Sequence, residues 1–392
     1  MGHLLSLALP DEYGCSRIER EMLPIIPTAF KLIVRTVKAK DGYKSDPAAL
    51  RQLEVLRRLF ARCEKIIVAT DAGREGELIF RYIYDFLECK KPFERLWISS
   101  LTDKAIRQGF DSLRPGREFD NLYYSAKARR EADWLVGINA SQALMLSAGR
   151  GGYSLGRVQT PTLAMICRRF LDNRDFISDT FHQLQLTVEK EGICFTSLNP
   201  GVYKDRTEAE AQLAGAQKEQ YAIVHDIRCR EITQEAPLLY DLTALQRDAN
   251  VRLGFSADKT LSLAQSLYEK QLISYPRTGC RYIGNDVFEQ IPSLLVMLET
   301  HPLLGACAIS LRHSVLNTHS VDDTKLTDHH ALIVTENRPE ALPEDEQAVY
   351  DLIATRMCET FSGKCVKSVT IISLFCGGVP FQGKGITVRT AG

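Results

Sequence analysis

No stretch of about 18 consecutive apolar residues occurs in the chain, which argues against a transmembrane helix. The N-terminus (MGHLLSLALPDEYG) has no basic segment ahead of an apolar one and meets Pro10 and Asp11 early, so no leader peptide is expected. A cytoplasmic protein without a membrane partner is the resulting expectation. Neither sign of charge is in excess: Lys plus Arg and Asp plus Glu both number 49. No overall positive field advertises a nucleic acid, and any such binding must come from local patches. There is no Cys-x-x-Cys pair among the 11 scattered cysteines, which argues against a zinc ribbon and a disulfide framework and for reduced thiols. Internal repeats, low-complexity linkers and a Gly-x-x-x-x-Gly-Lys-Ser/Thr phosphate loop are also missing.

What is present is the composition of a folded protein, 45% hydrophobic and 25% charged over 392 residues. At roughly 100 to 200 residues per domain, that length allows two to four domains. Asp46-Pro47 is a cap and first-turn signal, and Leu50, Leu53, Leu56, Leu59 and Phe60 follow at helical spacing. Residues 65–70 (KIIVAT) read as a buried strand, DAGREGE as a turn, and Leu78, Ile79, Ile83 and Phe86 as a second helix. Residues 96–98 predict another strand, and Thr102 opens a helix running to position 113. The order αβαβα implies a parallel sheet flanked by helices. Residues 121–148 predict a long helix, followed by a glycine-rich break (GRGGYSLG) and a helix over 158–170. Alternation after position 181 predicts strands, interrupted by a short helix near 208–218. Helices are expected over 243–253 and 256–272, around Gly254, and again over 340–362, with strands over 366–391.

Four constellations can carry chemistry. Asp71 and Glu75 stand where a buried strand ends and a helix begins, the place where ligands sit in open α/β sheets. Carboxylates there suit Mg²⁺, although the same acids also suit a helix cap. In Ser274-Tyr275-Pro276-Arg277-Thr278 the proline makes a rigid kink. A tyrosine hydroxyl can attack a phosphodiester, and a guanidinium two residues on can clamp the phosphate; a half-buried tyrosine in an ordinary turn is the plainer reading. In Asp328-His329-His330-Ala331 adjacent histidines face different ways, so one histidine beside a phosphate is a better reading than a shared metal. Gly156-Arg157-Val158-Gln159-Thr160, with Arg150 before it and Lys127, Arg129 and Arg130 on the preceding helix, offers amides and cations for phosphates, or simply a solvated face. Residues 121–180 hold eight Lys/Arg against five Asp/Glu.

In this order, DAGREGE, KARREADWLVGIN, SLGRVQTPTL, LTALQRDA, ISYPRTGCRYI and DHHALIVT resemble the motifs of type IA DNA topoisomerases, and within them the topoisomerase III group. The resemblance covers essentially the whole chain. It implies a multidomain α/β plus α plus β protein: a partial Toprim α/β domain (1–120), the first segment of a helical DNA-binding domain (121–180), and a β-rich arch in two segments (181–236 and 346–392). A helix-turn-helix-like domain (237–345) would bear the active-site tyrosine. The implied function is transient cleavage of one DNA strand through a 5′-phosphotyrosine, strand passage and religation without ATP, relaxing negative supercoils or decatenating. By resemblance Tyr275 is the nucleophile, Arg277 stabilises charge on the phosphorus, and His329 positions the phosphate. Arg130, Arg157, Gln159, Thr160 and Arg281 hold DNA, and Asp71 and Glu75 bind Mg²⁺. The implied partners are single-stranded and negatively supercoiled DNA and a helicase, with the protein a monomer associated with the nucleoid.

Three departures accompany the resemblance. Gly73 stands where the family's acidic motif usually has a second aspartate. The upstream strand that carries a glutamate and a lysine in the family has no counterpart before GHLLSL, and the β-rich arch is not followed by a return to the helical domain. A chain truncated at both ends is therefore expected, relaxing plasmid poorly. The alternative is a catalytically silent remnant that binds single-stranded DNA without that glutamate. Another Toprim enzyme, a primase or nuclease, is disfavoured by the YPRT and DHHA motifs. The resemblance further implies that Tyr275, Arg277 and His329 lie in one cleft facing Asp71 and Glu75.

Overall fold

The structure, a computed structural model, describes residues 3–39, 42–100, 102–149 and 151–392. Arg150 lies outside the described residues. The chain divides into two compact units, Met1–Arg174 with Arg277–Gln290 and Asp322–Ala331, and Asp175–Pro276 with Ile291–Val321 and Leu332–Gly392.

In the first unit, strand β1 (Leu5–Leu7) pairs antiparallel with β2 (Leu32–Val34), and β3 (Thr36–Ala39) with β4 (Gly42–Ser45). Helix α1 (Pro47–Arg62) starts as its sequence dictates: Asp46 Oδ1 accepts from the Ala48 amide at 2.8 Å, and Pro47 fills a position whose amide would have had no partner. Strand β5 (Ile66–Val68) leads through the acidic turn into α2 (Arg74–Phe86), so the last four residues of DAGREGE are helical rather than part of a turn. The expected strand at 96–98 is displaced to β6 (Phe93–Arg95), parallel to β5. Arg95, the last residue of that strand, is fully buried although it is charged, because buried partners receive it. Helix α3 (Asp103–Asp111) is capped by Thr102, and β7 (Arg114–Pro115) runs antiparallel to β6. The sheet is accordingly three-stranded and mixed, not all parallel.

Helix α4 (Asp120–Ala148) packs against α2. Its Trp134 is buried with Leu5, Leu7, Leu53, Leu78 and Ile83, and its ring nitrogen donates to Ala8 O at 2.8 Å. Asn139 binds both backbone groups of Ile25, at 2.6 and 3.0 Å. These two members of the KARREADWLVGIN motif therefore hold the N-terminal segment in place. Helix α5 (Gln159–Arg174) buries no residue. A short helical turn, Asn285–Phe288, completes the unit.

The second unit holds a five-stranded antiparallel sheet in the order β10-β11-β12-β9-β8. The strands are β8 (Gln185–Lys190), β9 (Ile193–Leu198), β10 (Ile223–Gln234), β11 (Cys365–Cys376) and β12 (Val379–Thr390). Helix α6 (Arg206–Ala216) contributes Ala216 to the apolar cluster of Leu184, Leu374, Val379 and Phe381. Helices α7 (Leu242–Leu253) and α8 (Ala257–Glu269) are capped by Asp241 and Ser256. Helix α8 stops three residues short of the expected end. Two helices not foreseen from the sequence, α9 (Ile291–Leu298) and α10 (Gly305–Arg312), pack on one another, and α11 (Glu344–Phe361) packs on α7, α8 and α10. Val349, Tyr350, Ile353, Met357 and Phe361 of α11 are completely buried. Burying an aliphatic or aromatic side chain of this kind contributes about 1.5 to 3 kcal/mol. No described helix is long and apolar enough to cross a membrane.

Candidate active site

The acidic turn follows directly from β5. Its backbone is braced by Arg95, whose guanidinium donates to Val68 O (3.2 Å), to Thr70 O and Oγ1 (3.1 and 3.0 Å) and to Asp71 O (2.9 Å). The charge of Arg95 is met by Glu77, with Nε and Oε2 3.0 Å apart and both side chains fully buried. That contact is an ion pair whose geometry is not that of an aligned hydrogen bond. Glu77 also accepts from Arg81 Nε at 2.8 Å, and Arg81 reaches Asp120 at 2.7 Å and Gly116 O at 2.9 Å. Thr70 Oγ1 donates to Gly76 O at 2.7 Å, and a Cβ on Gly76 would collide with the Asp71 carbonyl, so the turn closes only over glycine. Glu77 and Arg95 were not singled out from the sequence. The one signal available was a glutamate set between apolar helix positions.

Asp71 and Glu75 project from this scaffold with side chains 60% exposed, open to a ligand. Asp71 Oδ2 lies 3.6 Å from His329 Nε2. The histidine holds the Asp71 carboxyl below the ordinary carboxylate range, against the opposing effect of partial burial. Glu75 Oε2 lies 3.1 Å from His3 Nε2.

His329 is carried by a segment fastened to Arg277–Gln290. The Asp322 amide donates to Ile283 O (3.0 Å), the Ala331 amide to Tyr282 O (2.9 Å), and Thr278 Oγ1 to His329 O (3.2 Å). Thr102 Oγ1 donates to Asp286 Oδ2 (3.2 Å), and Lys104 pairs with Glu289 (2.6 Å), tying that stretch to the start of α3. The two histidines do face different ways: His330 Nδ1 donates to Ala331 O at 2.7 Å, and burial pushes its pKa down. Asp328 is exposed, but the protein around it raises its carboxyl above the ordinary range, opposed by His329 and reinforced by Asp71.

Of the other expected site residues, Arg277 is exposed in the first unit and makes no ion pair among the described residues. Arg281 lies in the same stretch, half-buried. Tyr275, two residues before Arg277 in the chain, belongs to the second unit, where its ring packs edge-on to Tyr268 with centroids 5.3 Å apart. Arg157 is held by Asp133 at 2.6 Å; Gln159 donates to Ser154 Oγ at 3.1 Å, and Thr160 Oγ1 accepts from the Gly156 amide at 3.1 Å. Arg130 is half-buried, whereas its neighbour Arg129 lines a cavity of about 370 Å³ with Arg74, Glu75, Trp97 and Asp328. Carboxylates, guanidiniums and an indole around one cavity suit a phosphate with a small hard cation.

The carboxylates fit such a cation by donor chemistry, since Mg²⁺ takes one or two of them and fills its other positions with water or phosphate oxygens. Among the described residues no three His, Cys, Asp or Glu side chains are arranged to hold a metal by themselves.

Comparisons with known proteins agree with these motifs. The family model described as Toprim domain matches residues 1–101, and the one described as DNA topoisomerase matches residues 117–392. Proteins named DNA topoisomerase 3 from Bacillus licheniformis and Bacillus subtilis are 41% and 39% identical, each aligned over 100% of this chain and 54% of their own. The chain spans about half the length of the curated relatives it matches. Full-length topoisomerase I from Thermotoga maritima shares the fold, with a TM-score of 0.67 at 21% identity over 99% of this chain and 61% of that one. The chain therefore belongs to the type IA DNA topoisomerases, in their topoisomerase III-like group.

Proposed function

We propose that the chain cleaves and rejoins one strand of DNA through a transient bond to Tyr275. The observation that carries this reading is the meeting of Asp71 and His329 at 3.6 Å, which joins the acidic turn to the Asp-His-His segment in a member of this family. Tyr275 Oη attacks the phosphorus and the bond to the 3′ oxygen breaks. The 5′ phosphate stays on the tyrosine, the phenol loses its proton, and the leaving oxygen gains one to become a free 3′ hydroxyl. Arg277, exposed and without an ion pair among the described residues, meets the charge that builds on the phosphate, and His329 positions it. Rejoining reverses these steps. The ester keeps the energy of the broken bond, so no ATP is consumed.

Arg130, Arg157, Gln159, Thr160 and Arg281 hold the single strand in this reading. Asp71 and Glu75 hold Mg²⁺, which when bound supplies positive charge for aligning the 3′ end. The substrates are single-stranded and negatively supercoiled DNA, relaxed or decatenated by a cytoplasmic, nucleoid-associated monomer that works beside a helicase. The test is incubation with Mg²⁺ and a labelled oligonucleotide, followed by denaturation. The wild-type chain should retain label, and Tyr275→Phe should retain none while still binding the oligonucleotide. Binding without any retained label from the wild type would leave a single-strand-binding protein and defeat the reading.

A further inference from the structure

Position 73 is the N-cap of α2, with φ −162° and ψ 179°, an extended conformation open to any residue. Aspartate is among the favoured side chains at such a position and would complement the positive end of the helix. The chain nevertheless has glycine there, and the backbone does not require it. Asp328 does: a Cβ on residue 73 would collide with Cγ and both carboxylate oxygens of Asp328.

The Asp328 carboxylate thus fills the space where a side chain at position 73 would begin, on the backbone between Asp71 and Glu75. Glu75 and Asp328 line the same cavity. Asp328 makes no ion pair among the described residues, and none of the opening amides of α2 donates to its side chain, so it is not serving as a helix cap. Carboxylates that converge on one cavity suit a small hard cation, which takes one or two of them and fills its other positions with water or phosphate oxygens.

We propose that Asp328 is a carboxylate of the divalent-cation site, delivered from the Asp322–Ala331 segment into the place left open by Gly73. The inference rests on the reading of Asp71 and Glu75 as cation-binding residues. It makes Asp328 and His329 neighbours with separate duties, one toward the cation and the other toward the phosphate. It also explains why position 73 can lack a carboxylate without emptying the site of its second acid.

The test is Mn²⁺ binding to the 392-residue chain without DNA, read by the loss of the free-ion electron paramagnetic resonance signal. Asp71→Asn and Asp328→Asn should each raise the dissociation constant at least about tenfold, no less than the loss of an outer-shell partner costs a metal site. Gly73→Asp alone, forced against Asp328, should also bind weakly. Gly73→Asp combined with Asp328→Ala should recover most of the wild-type affinity, because the carboxylate is then supplied from position 73. Thermal melting of each variant reports whether it folds. Unchanged Mn²⁺ affinity in Asp328→Asn, with or without a lower melting temperature, would overturn the proposal while a weakened Asp71→Asn kept the cation reading intact. A wild type that binds no Mn²⁺, or an Asp71→Asn variant that binds normally, would overturn both.

Discussion

Arg95 and Glu77 are both fully buried, 3.0 Å apart, and a charge pair withdrawn from water needs hydrogen bonds to its remaining atoms to repay its desolvation. Arg95 meets that need by donating to the carbonyls that shape the acidic turn, so the pair fixes where Asp71 sits without touching a ligand. Glu77→Ala leaves the Arg95 charge buried and uncompensated, which should cost about 3 to 5 kcal/mol. The measurement is a thermal melt together with Mn²⁺ binding, and both should fall. An unchanged melting temperature would show that the turn does not depend on the pair. Residues of this kind are the least legible in a sequence. Asp71 and Glu75 were found because acids after a buried strand are conspicuous, and Tyr275 and His329 because their neighbours form recognisable motifs. Nothing in the sequence beyond its place among apolar helix positions sets Glu77 apart from the other acids of DAGREGE, and nothing sets Arg95 apart from any other arginine. Parallel pairing sets Arg95 of β6 opposite Val68 of β5, beside the turn from which α2 carries Glu77.

Helices with an apolar stripe and a cap were readable: α1, α7 and α8 begin where Asp46, Asp241 and Ser256 place their caps. Helix α9 was not, because IPSLLVML is apolar around most of its circumference and offers no period. The strands of the N-terminal segment are three or four residues long, too short for alternation to register. The apolar run at 96–98 suggested a strand that the hydrogen bonding places at Phe93–Arg95. Between elements, Asp248 of α7 joins Arg356 of α11 at 2.9 Å and accepts from Tyr240 Oη at 2.8 Å. Burial works against the Asp248 charge, but Tyr240 and Arg356 outweigh it and hold the carboxyl below its ordinary range. A depressed carboxyl stabilises the fold above the unfolded value and loses that contribution as pH falls through the folded one. Asp248→Asn should therefore weaken the α7 to α11 contact by about 1 to 3 kcal/mol at neutral pH. Hydrogen exchange should quicken in Leu242–Leu253 and Glu344–Phe361 but not in Arg74–Phe86. Between about pH 5 and pH 3 the wild type should lose protection there more steeply than the variant. Equal pH profiles would contradict the assignment.

For the whole chain, a net charge of zero means that the DNA binding proposed above would depend on placement of cations rather than their number. Single strands should bind more tightly than duplex at matched salt, and affinity should fall as salt rises because phosphate contacts release counterions. Arg157 is already oriented by Asp133, so Arg157→Ala should weaken binding uniformly across sequences and reduce the salt slope by about one contact's worth. Filter binding at several ionic strengths checks this, and equal affinity for single strand and duplex would count against it. The central claim is that Tyr275 becomes covalently joined to a 5′ phosphate. Peptide mass spectrometry of the denatured adduct measures it most directly. The account predicts a nucleotide phosphoester on the peptide that contains Tyr275 and on no other. Attachment to any other residue, or an adduct that persists in Tyr275→Phe, would contradict it.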